Sequence, residues 1–137
     1  MAPRLTAVVA AATTWEEYPR LWPRLLEQVW DVARASGGLR PGRNVMLYKD
    51  DVPNVEVGVL VGASFAAEGR VVVSQLPGGR VASTLHRGDY AGLGAAHDAV
   101  HRFAGESGLE LGGPRWEIYG HPDGDRDPHV EIVYLLR

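Results

Sequence analysis

One short segment near the C-terminal end combines an acid with aromatic side chains in a pattern that could bind an organic cation. The segment is Trp116-Glu117-Ile118-Tyr119. On a β-strand its side chains alternate, so Glu117 and Tyr119 share one face while Trp116 and Ile118 share the other. A carboxylate among apolar neighbours is costly to desolvate unless a cation or a hydrogen-bond donor approaches it. Aromatic walls around one acid therefore predict a receptor for flat hydrophobic cations. The alternative is that Glu117, like Glu131 in the last strand, lies on a solvated sheet face.

An internal repeat identifies the positions at which the two halves of the chain differ. Two segments of the first half recur in the same order in the second half, 42–48 as 113–119 and 53–60 as 128–135. Such a recurrence indicates duplication of one unit. Tyr48 is then the counterpart of Tyr119, which makes it a candidate ligand-binding residue as well. Glu117, by contrast, aligns with Met46, so one copy has acquired an acid. We expect function where the copies diverge.

Three further clusters could carry chemistry. His97 and His101 stand four residues apart on a predicted helix, a spacing that can chelate a metal, but no third ligand is evident and two surface histidines are the preferred interpretation. The acids between residues 123 and 127 are typical of a solvated hairpin rather than a calcium loop, because the turn glycine and the closing glutamate are missing. Tyr90, at the start of the second helix, could form a pocket wall or a core contact. We therefore predict no metal and no cofactor.

Hydrophobic periodicity predicts the same elements in each half. We expect strands at 5–12, 43–49, 55–62, 70–76, 80–86, 115–121 and 129–136, and helices at 15–36 and 89–107. Thr14 and Asp89 are candidate helix caps, and Gly108 a helix stop. The two units, about 4–62 and 70–137, are joined by a linker at 63–69 and form one domain, 1–137. The predicted fold class is α+β, with duplicated β-α-β-β units, a mainly antiparallel sheet with both helices on one face, and a ligand cleft at the pseudo-twofold axis. The sheet face opposite the helices is a natural place for that cleft.

Length and composition limit the classes of partner. The chain has 137 residues, no cysteine and a net charge of −3, which argues against thiol chemistry and against direct nucleic-acid binding. Its N-terminal apolar stretch is too short and too rich in alanine for a membrane span. It predicts a first strand, with a secretory signal as the alternative. We therefore expect a cytoplasmic protein with no membrane association, and the sequence leaves its oligomeric state open.

The second half resembles a known family. The segments that carry the resemblance begin at Leu76, His86, Trp116 and Val130 and read LPGG, HRGDY, WEIY and VEIVYL. Together they are similar to the GyrI-like (gyrase-inhibitor-like) family, which includes the effector-binding modules of AraC-type and MerR-type multidrug regulators. Because the repeat fills the chain, we expect a stand-alone member without a DNA-binding domain.

The resemblance implies a cleft lined by aromatic residues around a buried glutamate. By this likeness Glu117 is the acid of the family's E-x-Y strand with Tyr119 beside it, Tyr90 belongs to the G-x-Y loop, and Glu131 is the acid of the final strand. Gly-Asp-Tyr replaces the more frequent Gly-Pro-Tyr in that loop. Trp116, together with Trp22 or Trp30 of the first helix, could stack a flat ligand.

Three functions follow as alternatives. The first is binding of flat hydrophobic, often cationic, compounds, as in multidrug or toxin binding and resistance. The second is hydrolysis of a cyclopropane-bearing electrophile, with Glu117 as a base whose pKa is raised by burial and Tyr119 or Tyr90 as the proton donor. The third is interaction with a protein such as gyrase.

Overall fold

The computed structural model describes residues 1–35, 41–120 and 129–137. The acidic loop 123–127 lies outside the described residues. The strands are β1 (Arg4–Ala12), β2 (Pro41–Tyr48), β3 (Asn54–Val61), β4 (Val72–Leu76), β5 (Val81–Arg87), β6 (Leu111–Tyr119) and β7 (His129–Leu136), and the helices are α1 (Tyr18–Ala35) and α2 (Leu93–Glu106). In the described part of the chain, no helix combines the length and the hydropathy needed to cross a membrane.

The seven strands form one antiparallel sheet in the order β4-β1-β3-β2-β6-β7-β5. On one side of the central pair β2–β6 lie β3 and then β1, and on the other side lie β7 and then β5. Each half therefore places its last strand next to the centre and its first strand outside it. The strand β4 is an additional edge strand beyond β1. This symmetry confirms the predicted α+β fold of two β-α-β-β units. The pseudo-twofold axis passes beside the cross-strand pair Met46 and Glu117, the two residues that the repeat aligns.

The helices begin and end close to the predicted signals. The hydroxyl of Thr14 accepts a hydrogen bond from the Glu17 amide at 3.1 Å, and residues 15–17 form a turn, so α1 begins at Tyr18 rather than at residue 15. Asp89 caps a short 3₁₀ turn, Tyr90–Gly92, by accepting from the Ala91 amide, so α2 begins only at Leu93. Gly108, at φ +67°, follows the end of α2, in a left-handed conformation that glycine adopts without strain.

Both helices pack on the same face of the sheet. One row of cross-strand partners on this face runs Val9, Val57, Met46, Glu117, Ile132. Its β1 and β3 members pack against α1, and Ile132 packs against α2. Because α1 covers one half of the sheet and α2 the other, an opening remains between them above β2 and β6, where Glu117 lies.

The face without helices carries an apolar cluster of its own, formed by Val45, Leu47, Leu60, Leu76, Trp116, Ile118 and Val133. Apolar residues recur every three or four positions along α2, at Leu93, Ala96, Val100 and Phe103, and this spacing predicts that all four face the core. Phe103 is 55% exposed, whereas Ala104 is buried, because Ala104 lies four residues after the buried Val100 and continues its face of the helix.

Candidate functional site

A pocket of about 240 Å³ opens on the helix-bearing face between α1 and α2. Six side chains from five parts of the fold line it: Trp15 before α1, Tyr48 on β2, His97 on α2, Arg115 and Glu117 on β6, and Tyr134 on β7. The central strands β2 and β6 provide its floor. The expectation of a cleft on the face opposite the helices was wrong for this pocket, because the two helices leave an opening between them on their own face. The sequence left open which face of β6 lines the cleft, and the structure places this pocket on the face of Glu117 and Tyr119.

Glu117 lies at the centre of a hydrogen-bond network. The hydroxyls of Tyr48 and Tyr119 both donate to its Oε1, at 2.8 and 2.9 Å. Nε2 of His97 lies 2.8 Å from its Oε2. Since Tyr48 and Tyr119 are counterparts in the repeat, the two halves of the protein direct equivalent hydroxyls at the same carboxylate oxygen.

These donors reverse the pKa shift expected from burial alone. Desolvation raises the pKa of Glu117, which is only 6% exposed, but the hydrogen bonds from His97, Tyr48 and Tyr119 together outweigh it and hold the pKa below its usual range. The expectation of a raised pKa was therefore wrong. Glu117 is an ionised carboxylate at neutral pH and a weak general base.

The tyrosines around this carboxylate remain protonated. Burial raises the pKa of Tyr48, and the negative charge of Glu117 raises it further. The same two causes, in the same order, raise the pKa of Tyr119. Both phenols therefore stay neutral donors.

His97 connects the carboxylate to a further hydroxyl. Its Nε2 faces the ionised Glu117, which only accepts hydrogen bonds, so this nitrogen carries a proton. Its Nδ1 lies 2.6 Å from the hydroxyl of Tyr134 and accepts from it when the imidazole is neutral. The interpretation of His97 as a surface histidine was wrong. His101 stays exposed, with its ring 5.0 Å from that of Tyr134, and the described residues contain no group of three or more metal-ligating side chains.

Arg115 brings a positive charge into the same pocket. Its guanidinium lies 5.5 Å from the ring centroid of Trp15 and 5.9 Å from that of Tyr48. It forms an ion pair with Asp51 at 2.9 Å, and the Asp51 side chain is 91% exposed whereas that of Arg115 is 15% exposed. Trp15 donates from Nε1 to the backbone carbonyl of Asp51 at 3.1 Å, so the turn between β2 and β3 holds both side chains at the pocket.

The aromatic residues around the site follow the pseudo-twofold axis. The rings of Tyr18 and Tyr48 meet edge to face with centroids 5.4 Å apart, and those of Tyr90 and Tyr119 do the same at 5.7 Å. Tyr18 and Tyr90 are repeat counterparts, as are Tyr48 and Tyr119. Tyr18 is buried, whereas Tyr90 is 53% exposed.

Comparison with known proteins identifies the family. The model of the GyrI-like small molecule binding domain matches residues 7–135. This chain belongs to the GyrI-like family. The resemblance inferred from the sequence is thereby confirmed, and small-molecule binding is the general function that the family supports.

Solved structures share the fold of this GyrI-like domain. The EcmrR C-terminal domain superposes with a TM-score of 0.79 at 19% identity, over 100% of this chain and 93% of that chain. An EcmrR–DNA complex contains the same fold, with a TM-score of 0.77 at 19% identity, over 100% of this chain and 55% of that chain. A hydrolase from Listeria innocua has a TM-score of 0.59 at 13% identity, over 98% and 88%. At these identities the likeness is one of fold alone. A search of curated protein sequences finds no match.

Several residues that the sequence suggested for the site lie elsewhere in the GyrI-like domain. Trp116 is fully buried in the apolar cluster of the opposite face. Glu131 also lies on that face, paired with Arg43 at 3.1 Å. On α1, Trp22 packs against the core beneath the helix, and Trp30 donates to Asn44 at 2.9 Å. The structure therefore brings Glu117, Tyr119 and Tyr48 together, with Tyr90 against Tyr119. The other four suggested residues lie away from this site: Trp116, Glu131, Trp22 and Trp30.

Four residues that line the pocket were not predicted from the sequence as site residues. Trp15 and Arg115 carry no motif, and Tyr134 entered only as part of the VEIVYL segment of the last strand. His97 had a usable signal, since it lies four residues after Leu93 and three before Val100, at the edge of the apolar stripe.

Proposed function

We propose that this GyrI-like domain binds compact, flat, hydrophobic compounds, preferably cationic ones, in the pocket around Glu117. The observation that carries the proposal is the ionised carboxylate of Glu117, 6% exposed, beside the rings of Trp15, Tyr48 and Tyr134. A charge held in a site of low dielectric constant interacts strongly with an opposite charge. Aromatic faces add stacking and cation–π attraction.

The hydrogen bonds to Glu117 prepare it for this role. Three donors hold the carboxylate ionised and fixed before any ligand arrives, so binding does not have to order it. The aromatic walls are largely non-directional and tolerate several flat shapes, which supports a role in binding more than one drug or toxin. The cavity of about 240 Å³ is smaller than the roughly 300–1,000 Å³ of drug-sized sites, so we expect compounds of one or two fused rings.

Replacing Glu117 with glutamine tests the proposal. We expect E117Q to weaken flat cationic dyes at least tenfold, because the amide keeps the shape but removes the charge, and to weaken neutral dyes of similar shape less than threefold. Quenching of tryptophan fluorescence gives the dissociation constants, since Trp15 lines the pocket. E131Q is a matched control, because Glu131 lies on the opposite face.

Two outcomes would contradict the proposal. Absence of binding by every cationic dye would remove it altogether. Equal losses for cationic and neutral dyes in E117Q would show that the carboxylate supports the fold of the pocket rather than the recognition of charge.

A second candidate function is the hydrolysis of a strained electrophile. The observation that favours it is the chain of hydrogen bonds from Glu117 through His97 to Tyr134, at 2.8 and 2.6 Å, because an acid, an imidazole and a hydroxyl in series can move a proton. Two similar folds from Listeria innocua are described as hydrolases. The low pKa of Glu117 shifts the role of base from Glu117 to His97, and the hydroxyl of Tyr119, which donates to Glu117, is not free to donate to a substrate.

The reaction would run as follows on a cyclopropane joined to a cyclohexadienone. The oxygen of water bonds to a cyclopropane carbon, the adjacent ring C–C bond breaks, and its electron pair makes the dienone a phenolate. The water proton passes through Tyr134 to His97, while Glu117 stabilises the imidazolium that forms. The proton is then returned to the phenolate oxygen.

Incubation with a spirocyclopropyl cyclohexadienone tests this second function. We expect the ring-opened alcohol, measured by mass spectrometry, to form at least a hundredfold faster than in buffer and to fall at least tenfold in H97Q. H86Q is the matched control, because the His86 imidazole contacts the Asp89 carbonyl and not a member of this chain. Product formation at the buffer rate, or at the same rate in H97Q, would exclude hydrolysis through this chain.

A further inference from the structure

Arg115 differs from the other residues of the pocket because its positive charge repels a purely cationic ligand. It lies on the same face of β6 as Glu117, two residues away. A ligand that carries only a positive charge is attracted by Glu117 and repelled by Arg115. The site therefore presents both signs of charge to one small cavity.

The partner of Arg115 is easily replaced. Asp51 pairs with it at 2.9 Å, but the Asp51 side chain is 91% exposed, and ion pairs of exposed carboxylates contribute little because water competes for them. A second bond joins Nη1 of Arg115 to the carbonyl of Gly113 at 3.2 Å. A guanidinium has five N–H donors in a planar fork that fits a carboxylate, so a ligand carboxylate can take the position of Asp51.

We propose that the preferred ligand is an amphoteric aromatic compound, with a basic group directed at Glu117 and an acidic group directed at Arg115. This inference rests on the proposed binding function and names its ligand class. Side chains two residues apart on a strand are separated by about 7 Å, a distance that one substituted aromatic ring spans. Trp15 and Tyr48, whose rings lie within 5.5 and 5.9 Å of the guanidinium, flank the acidic end of such a ligand.

Three small compounds test the inference: 4-(aminomethyl)benzoate, which carries both charges, benzylamine, which lacks the carboxylate, and benzoate, which lacks the amine. Their affinities for the intact chain are measured by NMR titration of the tryptophan indole N–H signals. We expect 4-(aminomethyl)benzoate to bind at least tenfold more tightly than either of the other two. R115Q should remove the advantage over benzylamine, and R115K should retain part of it, because lysine keeps the charge but not the fork.

Asp51 provides a second variant, at a position that does not line the pocket. In the native protein Asp51 competes with the ligand for Arg115, so D51N should tighten 4-(aminomethyl)benzoate about two- to fivefold, with no such gain for benzylamine. E106Q, which removes an exposed carboxylate at the end of α2, is the matched control for net charge and should give no gain for either compound.

The outcomes separate this inference from the function on which it rests. If benzylamine and 4-(aminomethyl)benzoate bind equally and both are weakened by E117Q, the amphoteric ligand class is wrong and the cation site stands. If D51N tightens neither compound, Arg115 is not an anion site. If no compound binds and the cationic dyes also fail, both proposals fall.

Discussion

Replacing Trp116 with alanine is expected to lower the free energy of unfolding by about 3–5 kcal/mol. The side chain is fully buried in the apolar cluster on the face without helices, where it packs with Leu47, Leu76 and Val133. Truncation removes its apolar contacts and leaves a cavity that the strands on either side of β6 cannot close, since their register is fixed by the sheet. Urea denaturation followed by circular dichroism measures the loss.

Two matched variants separate the stabilising role of Trp116 from a role in binding. W116F keeps a ring in the cluster and removes the indole N–H, which has no hydrogen-bond partner among the described residues, so it should lose less than about 2 kcal/mol and keep its affinity for cationic dyes. W15A should do the reverse, because Trp15 is 46% exposed and lines the pocket. If W116F folds but no longer binds the dyes, Trp116 has a role in ligand binding and the assignment to stability alone is wrong.

The buried position of Trp116 shows what strand alternation can predict and what it cannot. Alternation correctly separates Glu117 and Tyr119 from Trp116 and Ile118, because it depends only on the period of a strand. It does not say which face a helix leaves partly open, since that depends on where α1 and α2 pack. The face of Trp116 is covered although no helix lies on it.

The fold was the more predictable part, because it follows from local periodicity and from the repeat. Duplication predicted two equivalent units about a pseudo-twofold axis, and in the structure these units meet through the equivalent strands β2 and β6, at the pair Met46–Glu117. The pocket depends instead on distant contacts. His97, on a helix, contacts Glu117, which lies 20 residues later in the chain. Asp51, in a turn, contacts Arg115. No local sequence pattern predicts either contact.

Divergence of the repeat explains why the charged side chains of the pocket come from the second half. On the strands, three polar residues of the pocket replace less polar counterparts: Arg115 for Asn44, Glu117 for Met46, and Tyr134 for Val59. In the first half, Met46 and Val59 belong to the buried core beneath α1. The same architecture therefore gives a dry core in one copy and a polar pocket in the other. The direction of the Glu117 pKa shift could not be predicted, because it depends on three donors from three different elements.

The Y48F/Y119F double variant is expected to lose about 3–6 kcal/mol of stability at pH 7, since hydrogen bonds to a charged group contribute about 1.5–3 kcal/mol each. Both rings stay in place, but Oε1 of Glu117 loses its two hydroxyl donors while the carboxylate remains buried. Desolvation, the largest influence on this group, then dominates and raises the pKa of Glu117. Y119F alone should lose about half as much.

The pH dependence identifies the cause. In the native protein the pKa of Glu117 is lowered, so its contribution to stability is fully present above the unfolded value of about 4.3 and is lost as the pH falls through the folded pKa. In the double variant we expect the pKa of Glu117 in the folded state to lie above its unfolded value. Stability is then lost as the pH rises from the unfolded pKa through the folded pKa. The difference in unfolding free energy between the two proteins should therefore grow from pH 3 to pH 7, measured by urea denaturation at each pH. Y90F, which removes an exposed hydroxyl, should show no such trend. A difference that stays constant with pH would mean that the two hydroxyls stabilise the fold through packing and not through the charge of Glu117.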